Sequence, residues 1–227
     1  MTATNLKPVE ILRDTFQRVG PVFVPVLLLA LPGVLISVLV RNVMLQGMLN
    51  VIYAILVAPI LGGAMIILVN RCLTGQTTDL SEAVAMAWRK ASNLILTSLL
   101  LVVILIPAFL LLIVPGIFLS VRLFSTQYAV VLENKSPTEA LSASWELTQG
   151  KWWKIFWAVF VITLALVIPL FIVSAIVGAA LPWGATIVSN LLGLVITPPI
   201  VMALLMVYKV LKGEAALDAD GANPASA

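Results

Sequence analysis

The sequence has 227 residues, of which 62% are hydrophobic and only 10% are charged, and its mean hydropathy is +1.15. Soluble domains carry about 25% charged residues, so this chain cannot cover a water-exposed surface and must use lipid as its solvent. The lack of histidine and the single cysteine exclude His-dependent catalysis, an intrachain disulfide and a cysteine-rich metal site. We therefore expect no cofactor and no metal.

Six apolar stretches approach or exceed the roughly 20 residues that a helix needs to cross a bilayer core. They predict membrane passes at 20–40, 48–69, 94–114, 117–132, 154–179 and 184–208. The fourth pass is the shortest and contains Arg122, so a single broken or re-entrant segment over 94–132 is an alternative. Pro115-Gly116 is expected to turn the chain between the third and fourth passes, and Pro182-Trp183-Gly184 between the last two.

A short pattern centred on a glutamate precedes each pair of passes. Its three copies are Pro8-Val9-Glu10-Ile11-Leu12, Leu80-Ser81-Glu82-Ala83-Val84 and Pro137-Thr138-Glu139-Ala140-Leu141. The apolar positions of each copy share one helical face, which predicts an amphipathic helix at the membrane interface. An aromatic residue six positions after each glutamate is expected to anchor that helix among lipid headgroups. These aromatics are Phe16, Trp88 and Trp145.

The predicted fold is therefore an all-α membrane bundle of six transmembrane helices. It is expected to form a single domain over 1–212, built from three repeats at about 7–69, 79–132 and 136–209. Because each repeat contains two passes, all three enter the membrane in the same direction and can surround a pseudo-threefold axis. Residues 213–227 are rich in Ala, Gly, Asp and Pro and are expected to form a disordered cytoplasmic tail.

Helix-start chemistry explains the repeated glutamates. Ser136 and Glu139 have the spacing of a capping box, and Asp79 with Glu82 has the same spacing, with aspartate as the cap. The first copy has lysine at the cap position, and we expect no side-chain cap there. A separate stripe of small residues, at Ala54, Ala58 and Gly62, predicts a close helix–helix contact within the bundle or between subunits.

The distribution of basic residues predicts the topology. Eleven of the thirteen lysines and arginines fall on the side that holds both termini and the two long loops, leaving Arg41 and Arg122 for the other. Basic residues favour the cytoplasmic side of a membrane, so both termini are expected in the cytoplasm. Because these residues flank apolar spans, we expect membrane lipids as partners and no nucleic acid.

The region from 107 to 154 resembles a known family of membrane proteins. It contains Ile113-Val114-Pro115-Gly116-Ile117-Phe118-Leu119-Ser120-Val121-Arg122, then Val130-Val131-Leu132-Glu133 and Ser136-Pro137-Thr138-Glu139-Ala140-Leu141. This resembles the membrane domain of some glycerophosphodiester phosphodiesterases and the stand-alone YciC-like proteins of prokaryotes. The resemblance implies a protein of the bacterial or archaeal cytoplasmic membrane. It implies no phosphodiesterase activity, because in the fused proteins a separate barrel, absent from this chain, performs the hydrolysis.

Five residues are candidates for contact with lipid or an anion. Arg122 is the one charge inside a predicted pass, and such charges are functional candidates. Its side chain is expected either to reach the outer headgroups or the Pro115-Gly116 carbonyls, or to bind a lipid phosphate or substrate. The others form an interfacial cluster of bases and aromatics that favours anionic headgroups; they are Lys151, Trp152, Trp153 and Lys154.

Three functions follow from these features. The first is a non-enzymatic scaffold, accessory or lipid-organising protein, with a further membrane protein or a second copy of itself as a candidate partner. The second is a transporter of a small molecule or lipid that uses Arg122 as its anion contact. The third is an enzyme acting on lipid through Glu133 and Glu139, which no metal-binding motif supports. The sequence favours the first.

Overall fold

The computed structural model describes residues 7–39, 42–76, 79–180 and 185–213, and all regular secondary structure in these ranges is helical. A single π-helical turn, Tyr53–Val57, joins the third helix to the fourth. Numbered in chain order, the helices are α1 Pro8–Arg18, α2 Gly20–Leu39, α3 Val43–Ile52, α4 Ala58–Leu73, α5 Leu80–Trp88, α6 Ala91–Leu111, α7 Ile113–Leu123, α8 Thr126–Glu133, α9 Pro137–Thr148, α10 Trp152–Ala180 and α11 Ala185–Lys212.

Among the described residues, five helical segments are long and apolar enough to cross a membrane, and α1 with α2 makes a sixth if that pair, bent by 87°, is counted as one span. The five segments are Met44–Leu73, Ala91–Leu111, Ile113–Glu133, Trp152–Val177 and Leu191–Lys212. The prediction of an all-helical protein with several candidate spans is confirmed, whereas the threefold arrangement and the count of six stay predictions. The turn predicted at 182–184, and the tail after Gly213, lie outside the described residues.

The break between α6 and α7 falls at Leu112, not at Pro115-Gly116 as predicted. Leu112 has extended backbone angles, φ −161° and ψ 144°, while both predicted turn residues lie in the first turn of α7. Proline is tolerated there because the first backbone N–H groups of a helix have no partner within the helix. Gly116 lets α7 approach the ring of Phe109 on α6, since a Cβ would lie 2.4 Å from its Cδ1.

The starts of the short helices differ in their caps. The Asp79 carboxylate accepts the backbone N–H of Leu80 at 2.8 Å, and Glu139 accepts the backbone N–H of Ser136 at 2.9 Å in a capping box. Glu82 lies in the first turn of α5, but its carboxylate accepts a hydrogen bond from the arginine at 71 on α4. At α1, Lys7 provides no side-chain cap and forms an ion pair with the glutamate in the first turn.

Corresponding positions of α1, α5 and α9 have the same burial. The residues one and five positions after each glutamate are buried, and the aromatic residue at the sixth is exposed. The buried pairs are Ile11 with Thr15, Ala83 with Ala87, and Ala140 with Ser144. The apolar face of each short helix therefore packs on the protein, and its aromatic projects from the edge of that face.

The main core lies where α2, α4, α6, α8 and α11 meet. Val26, Ala64, Leu94, Met202 and Leu205 are completely buried there. Gly63 on α4 lets this helix approach α6, because a Cβ at this position would lie 2.7 Å from Leu94 Cδ1. Helix α11 packs on α2 as well as on α10. The last described helix therefore contacts a helix from the start of the chain.

An open cleft of about 810 Å³ lies between α2, α4 and α11, and the phenol ring of Tyr53 lines it. Ala58 and Gly62 also line this cleft, while Ala54 is exposed. The π-helical turn between Ala54 and Ala58 changes the helical repeat, so the three small residues do not form one packed stripe within the chain. A contact between subunits through these residues stays a prediction.

Candidate functional site

The span ends that carry lysine and arginine meet at one end of the bundle, called here the basic end. Arg71 Nη1 donates to Glu82 Oε1 at 3.0 Å and so links α4 to α5, while Lys212 Nζ lies 2.7 Å from Glu133 Oε1 and links α11 to α8. Arg41 lies outside the described residues. The basic residues at this end are Lys7, Arg13, Arg18, Arg71, Arg89, Lys90, Arg122, Lys135, Lys151, Lys154, Lys209 and Lys212.

Arg122 lies where α7 ends and the chain turns into α8. Helix α9 packs against this break and satisfies one of the freed carbonyls, because Ser144 Oγ donates to the Arg122 carbonyl at 2.8 Å. Thr126 Oγ1 donates to the Leu123 carbonyl at 2.8 Å. Buried polar groups need such partners, so the hydroxyl at 144 on the buried face of α9 has a structural reason.

The Arg122 guanidinium lies between two aromatic rings. Its Cζ is 5.3 Å from the ring centroid of Phe118 and 4.8 Å from that of Trp145. The two rings meet edge to face, with their centroids 6.3 Å apart. A cation within about 6 Å of a ring face is attracted by the electron density of that face. The two rings therefore hold the positive charge in place without neutralising it.

The guanidinium donors of Arg122 are poorly satisfied. Nη1 has only long contacts, at 3.4 Å to the Trp145 carbonyl and 3.5 Å to Thr148 Oγ1, and Nε is buried without a hydrogen-bond partner. In the described part of the chain, no carboxylate lies within ion-pair distance of this arginine. Because its side chain points to the end of α9, the prediction that it reaches the Pro115-Gly116 carbonyls is wrong, whereas contact with headgroups stays a prediction.

A column of stacked aromatic rings extends from this arginine along α10. Phe118 stacks on Trp152 at 5.6 Å, Trp152 stacks on Phe156 at 5.2 Å, and Phe156 stacks on Phe160 at 5.7 Å. Trp152 Nε1 also donates to the Phe118 carbonyl at 3.2 Å. The indole of Trp152 thus joins α7 to α10 by both a hydrogen bond and ring stacking.

The other residues of the predicted lipid cluster surround this column at the start of α10. Lys151 and Lys154 are exposed, and Trp153 is 66% exposed and packs edge to face against Trp152. The Lys151 backbone N–H donates to the Thr148 carbonyl at 3.2 Å. The structure therefore brings Arg122 and this cluster together, on the same side of the bundle.

Phe118 was not among the predicted site residues, although it lies four positions before Arg122 and therefore shares its face of α7. This spacing was a local signal from which the cation–π contact could have been proposed. The pairing of Arg122 with Trp145 had no such signal, because the two residues are far apart in sequence and meet through the packing of α7 on α9.

Glu133, a candidate carboxylate for an enzyme, takes part in an ion cluster at the end of α8. Its Oε1 accepts hydrogen bonds from the Tyr208 hydroxyl and, at 2.7 Å, from Lys212. Its Oε2 lies 2.9 Å from Lys135 Nζ. The phenol ring of Tyr208 stacks on that of Tyr128, with centroids 5.2 Å apart. This carboxylate thus fixes the end of α11 against α8.

Glu139, the second candidate carboxylate, takes part in capping α9. The backbone N–H and the side chain of Ser136 bind its carboxylate and hold the pKa of Glu139 below its ordinary value. Nearby, Lys90 donates to the Val131 carbonyl, and partial burial lowers the pKa of the Lys90 amine. Among the described residues, no group of three or more acidic or cysteine side chains could hold a metal ion.

No curated protein and no solved structure matches the chain. No comparison links it to the glycerophosphodiester phosphodiesterase membrane domains or the YciC-like proteins, so that resemblance stays a prediction. A family model described as a domain of unknown function, DUF7847, matches residues 83–212. The matched region runs from α5 to α11, which is more than half of the chain, and it includes Arg122 and the aromatic column. The chain therefore belongs to the DUF7847 family.

Proposed function

We propose that the protein is a non-enzymatic integral membrane protein of the cytoplasmic membrane with an accessory or lipid-organising role. The observation that carries this proposal is the basic end, where the lysines and arginines of the described residues gather around three short helices. Basic residues next to membrane spans favour the cytoplasm, and a basic surface attracts the anionic lipids of the cytoplasmic leaflet. The basic end therefore faces the cytoplasm, and both termini lie on the cytoplasmic side of the membrane.

The three short helices support a role at the lipid surface. Each presents an exposed aromatic at the basic end, namely Phe16, Trp88 or Trp145. Aromatic side chains concentrate at the headgroup level, where an apolar ring and a polar edge are both accommodated. In this proposal, α1, α5 and α9 are equivalent parts of three repeats and fasten the bundle to the cytoplasmic leaflet.

The occupied carboxylates support a non-enzymatic role. Glu133 is engaged by a tyrosine and two lysines, and Glu139 caps α9, so neither is a free general base. The sequence also contains no histidine, which is the most common general base at neutral pH. These features favour binding and assembly over hydrolysis of a lipid.

Cysteine accessibility tests the proposed topology. In a Cys72→Ser background, we expect Asn42→Cys, in the polar connection between α2 and α3, to react with a membrane-impermeant maleimide in intact cells. Thr138→Cys, at the start of α9, should react only after the cells are permeabilised. Both positions are exposed, so labelling reports the side of the membrane and not burial. The opposite labelling pattern would place the basic end outside and overturn the proposal.

Native mass spectrometry of the protein, extracted gently from its own membrane, tests the role. A second membrane protein retained at fixed stoichiometry supports an accessory function, and retained anionic lipid supports a lipid-organising one. A chain that carries neither, although it is folded and monodisperse, would contradict both forms of the proposal.

Transport of a small molecule is a second candidate function, favoured by the open cleft between α2, α4 and α11. Proline residues at 32, 198 and 199 lie inside α2 and α11 beside it, and a proline within a helix leaves a carbonyl of the preceding turn without its helical partner. Arg122 does not line this cleft. Solute flux that is lost when Gly62→Trp fills the cleft, yet is unchanged by Arg122→Gln, would favour transport through the cleft.

A further inference from the structure

An apolar groove between α7 and α10 begins beside the Arg122 site. Ile117 and Val121 of α7 form one wall, and Phe156, Val159 and Phe160 of α10 form the other. The groove has an empty volume of about 680 Å³ and opens to the surface of the bundle. Because it lies between two candidate spans, the material that meets it in a membrane is lipid hydrocarbon.

The groove and the Arg122 guanidinium are joined by the aromatic column. Phe156 is at once a wall of the groove and a stacking partner of Trp152, which stacks in turn on Phe118 below the guanidinium. The positive charge and the apolar groove are therefore separated by a short series of contacting rings. This order, with a cation followed by an apolar groove, is the order of polar and apolar parts in a phospholipid.

The charge at this site is not balanced within the described protein. The Arg122 guanidinium has a buried Nε without a partner and, among the described residues, no carboxylate within ion-pair distance. The exposed Lys151 and Lys154 add positive charge at the start of α10, around the Trp152 that stacks on Phe118. Phosphate oxygens are the acceptors that the planar, multiply donating guanidinium suits best. Two further lysines favour a lipid with net negative charge over a zwitterionic one.

We propose that Arg122, with Lys151 and Lys154, binds the phosphate of one anionic phospholipid, and that an acyl chain of this lipid fills the groove between α7 and α10. The proposal rests on the proposed function, because it requires this end of the bundle to face a leaflet. It adds a defined site, a ligand class and a stoichiometry of one lipid per chain.

The test compares lipid retention by full-length variants. The protein is placed in nanodiscs of phosphatidylcholine with a minor fraction of phosphatidylglycerol, and bound phosphatidylglycerol is counted by native mass spectrometry after release. The unmodified chain should retain one phosphatidylglycerol. Because hydrogen bonds to charged groups are among the stronger ones, Arg122→Gln should lower its occupancy about tenfold. Arg89→Gln, an exposed arginine of the basic end outside the site, is the matched control and should keep it.

Two further variants keep the proposal falsifiable if Arg122→Gln does not fold. The double variant Lys151→Gln/Lys154→Gln changes only exposed side chains and should reduce the preference for phosphatidylglycerol over phosphatidylcholine several-fold. Val159→Phe fills the groove without changing charge and should reduce retention of both lipids. Unchanged retention in all three variants would overturn the site, as would an equal loss in Arg89→Gln.

Competition with inorganic phosphate separates a lipid site from a simple anion site. Displacement of phosphatidylglycerol only by lipids with acyl chains supports the proposal, and displacement by inorganic phosphate, together with unchanged retention by Val159→Phe, contradicts it. The labelling experiment on topology is independent of this result. Loss of the lipid site would therefore leave the cytoplasmic orientation intact, and an inverted orientation would leave lipid retention in nanodiscs unchanged.

Discussion

Replacing Gly63 with alanine is expected to lower the free energy of unfolding by about 1–3 kcal/mol, the usual cost of overpacking a dense core. The new methyl group would lie 2.7 Å from Leu94 Cδ1, 3.5 Å from a methyl of Val131 and 3.6 Å from the Ala87 Cβ. Leu94 is completely buried, so its methyl group can make room only by moving within the packed core. Unfolding of the purified protein in nanodiscs, followed by tryptophan fluorescence, measures the change.

The same substitution at Gly193 is the matched control. A Cβ at this position on α11 meets nothing within 4 Å, so the only expected effect is the small gain from replacing glycine within a helix. In the double variant Gly63→Ala/Leu94→Ala, the combined loss should be smaller than the sum of the two single losses, because the side chain that meets the new methyl group is absent. Equal stability of the alanine variants at 63 and 193 would show that α4 and α6 are not closely packed at this point.

Replacing Glu133 with glutamine is expected to destabilise the protein by about 1.5–3 kcal/mol, the range of hydrogen bonds to charged groups. The substitution keeps the size of the side chain but leaves Lys135 and Lys212 without their shared negative charge. The end of α11 would then be held to α8 mainly by the stacking of Tyr208 on Tyr128. Thermal unfolding at low salt, compared with that of the unmodified chain, measures the effect.

Glu10→Gln serves as the control for the loss of a charge. Glu10 forms an ion pair with Lys7 at 2.7 Å, but both side chains are more than half exposed. Water and salt screen such pairs, and their contribution is about 0–1 kcal/mol. If the glutamine variants at 133 and 10 are equally stable, the Glu133 cluster is a surface contact with no role in fixing α11.

Much of the helical fold was predictable because lipid imposes simple requirements on sequence. A segment that crosses hydrocarbon must be apolar over about 20 residues, so the spans can be read from composition alone. Helix starts were also predictable, since the chemistry of Asp79 and of Ser136 with Glu139 acts over only a few residues. Apolar spans and helix caps depend only on residues that are close together in the chain, so both can be recognised in the sequence.

The break at Leu112 and the direction of the Arg122 side chain could not be predicted in this way. Proline and glycine at 115 and 116 resemble a turn, yet the first turn of a helix accommodates both, and the packing of Phe109 selects that arrangement. The Trp145 carbonyl and ring and the Thr148 hydroxyl that contact Arg122 belong to α9, which local patterns cannot connect to α7. The π-helical turn Tyr53–Val57 likewise has no distinct sequence signal. Because it changes the helical repeat, the small residues predicted to form one stripe do not share one face.

The position of α11 in the core has a consequence for how the protein is made. Val26 of α2 and Ala64 of α4 are completely buried in one cluster with Met202 and Leu205 of α11, which follows them by well over a hundred residues. During synthesis, the first two spans thus enter the membrane long before the helix that covers them. Until then, their inner faces must be covered by lipid or by the insertion machinery, so the bundle cannot fold strictly one hairpin at a time.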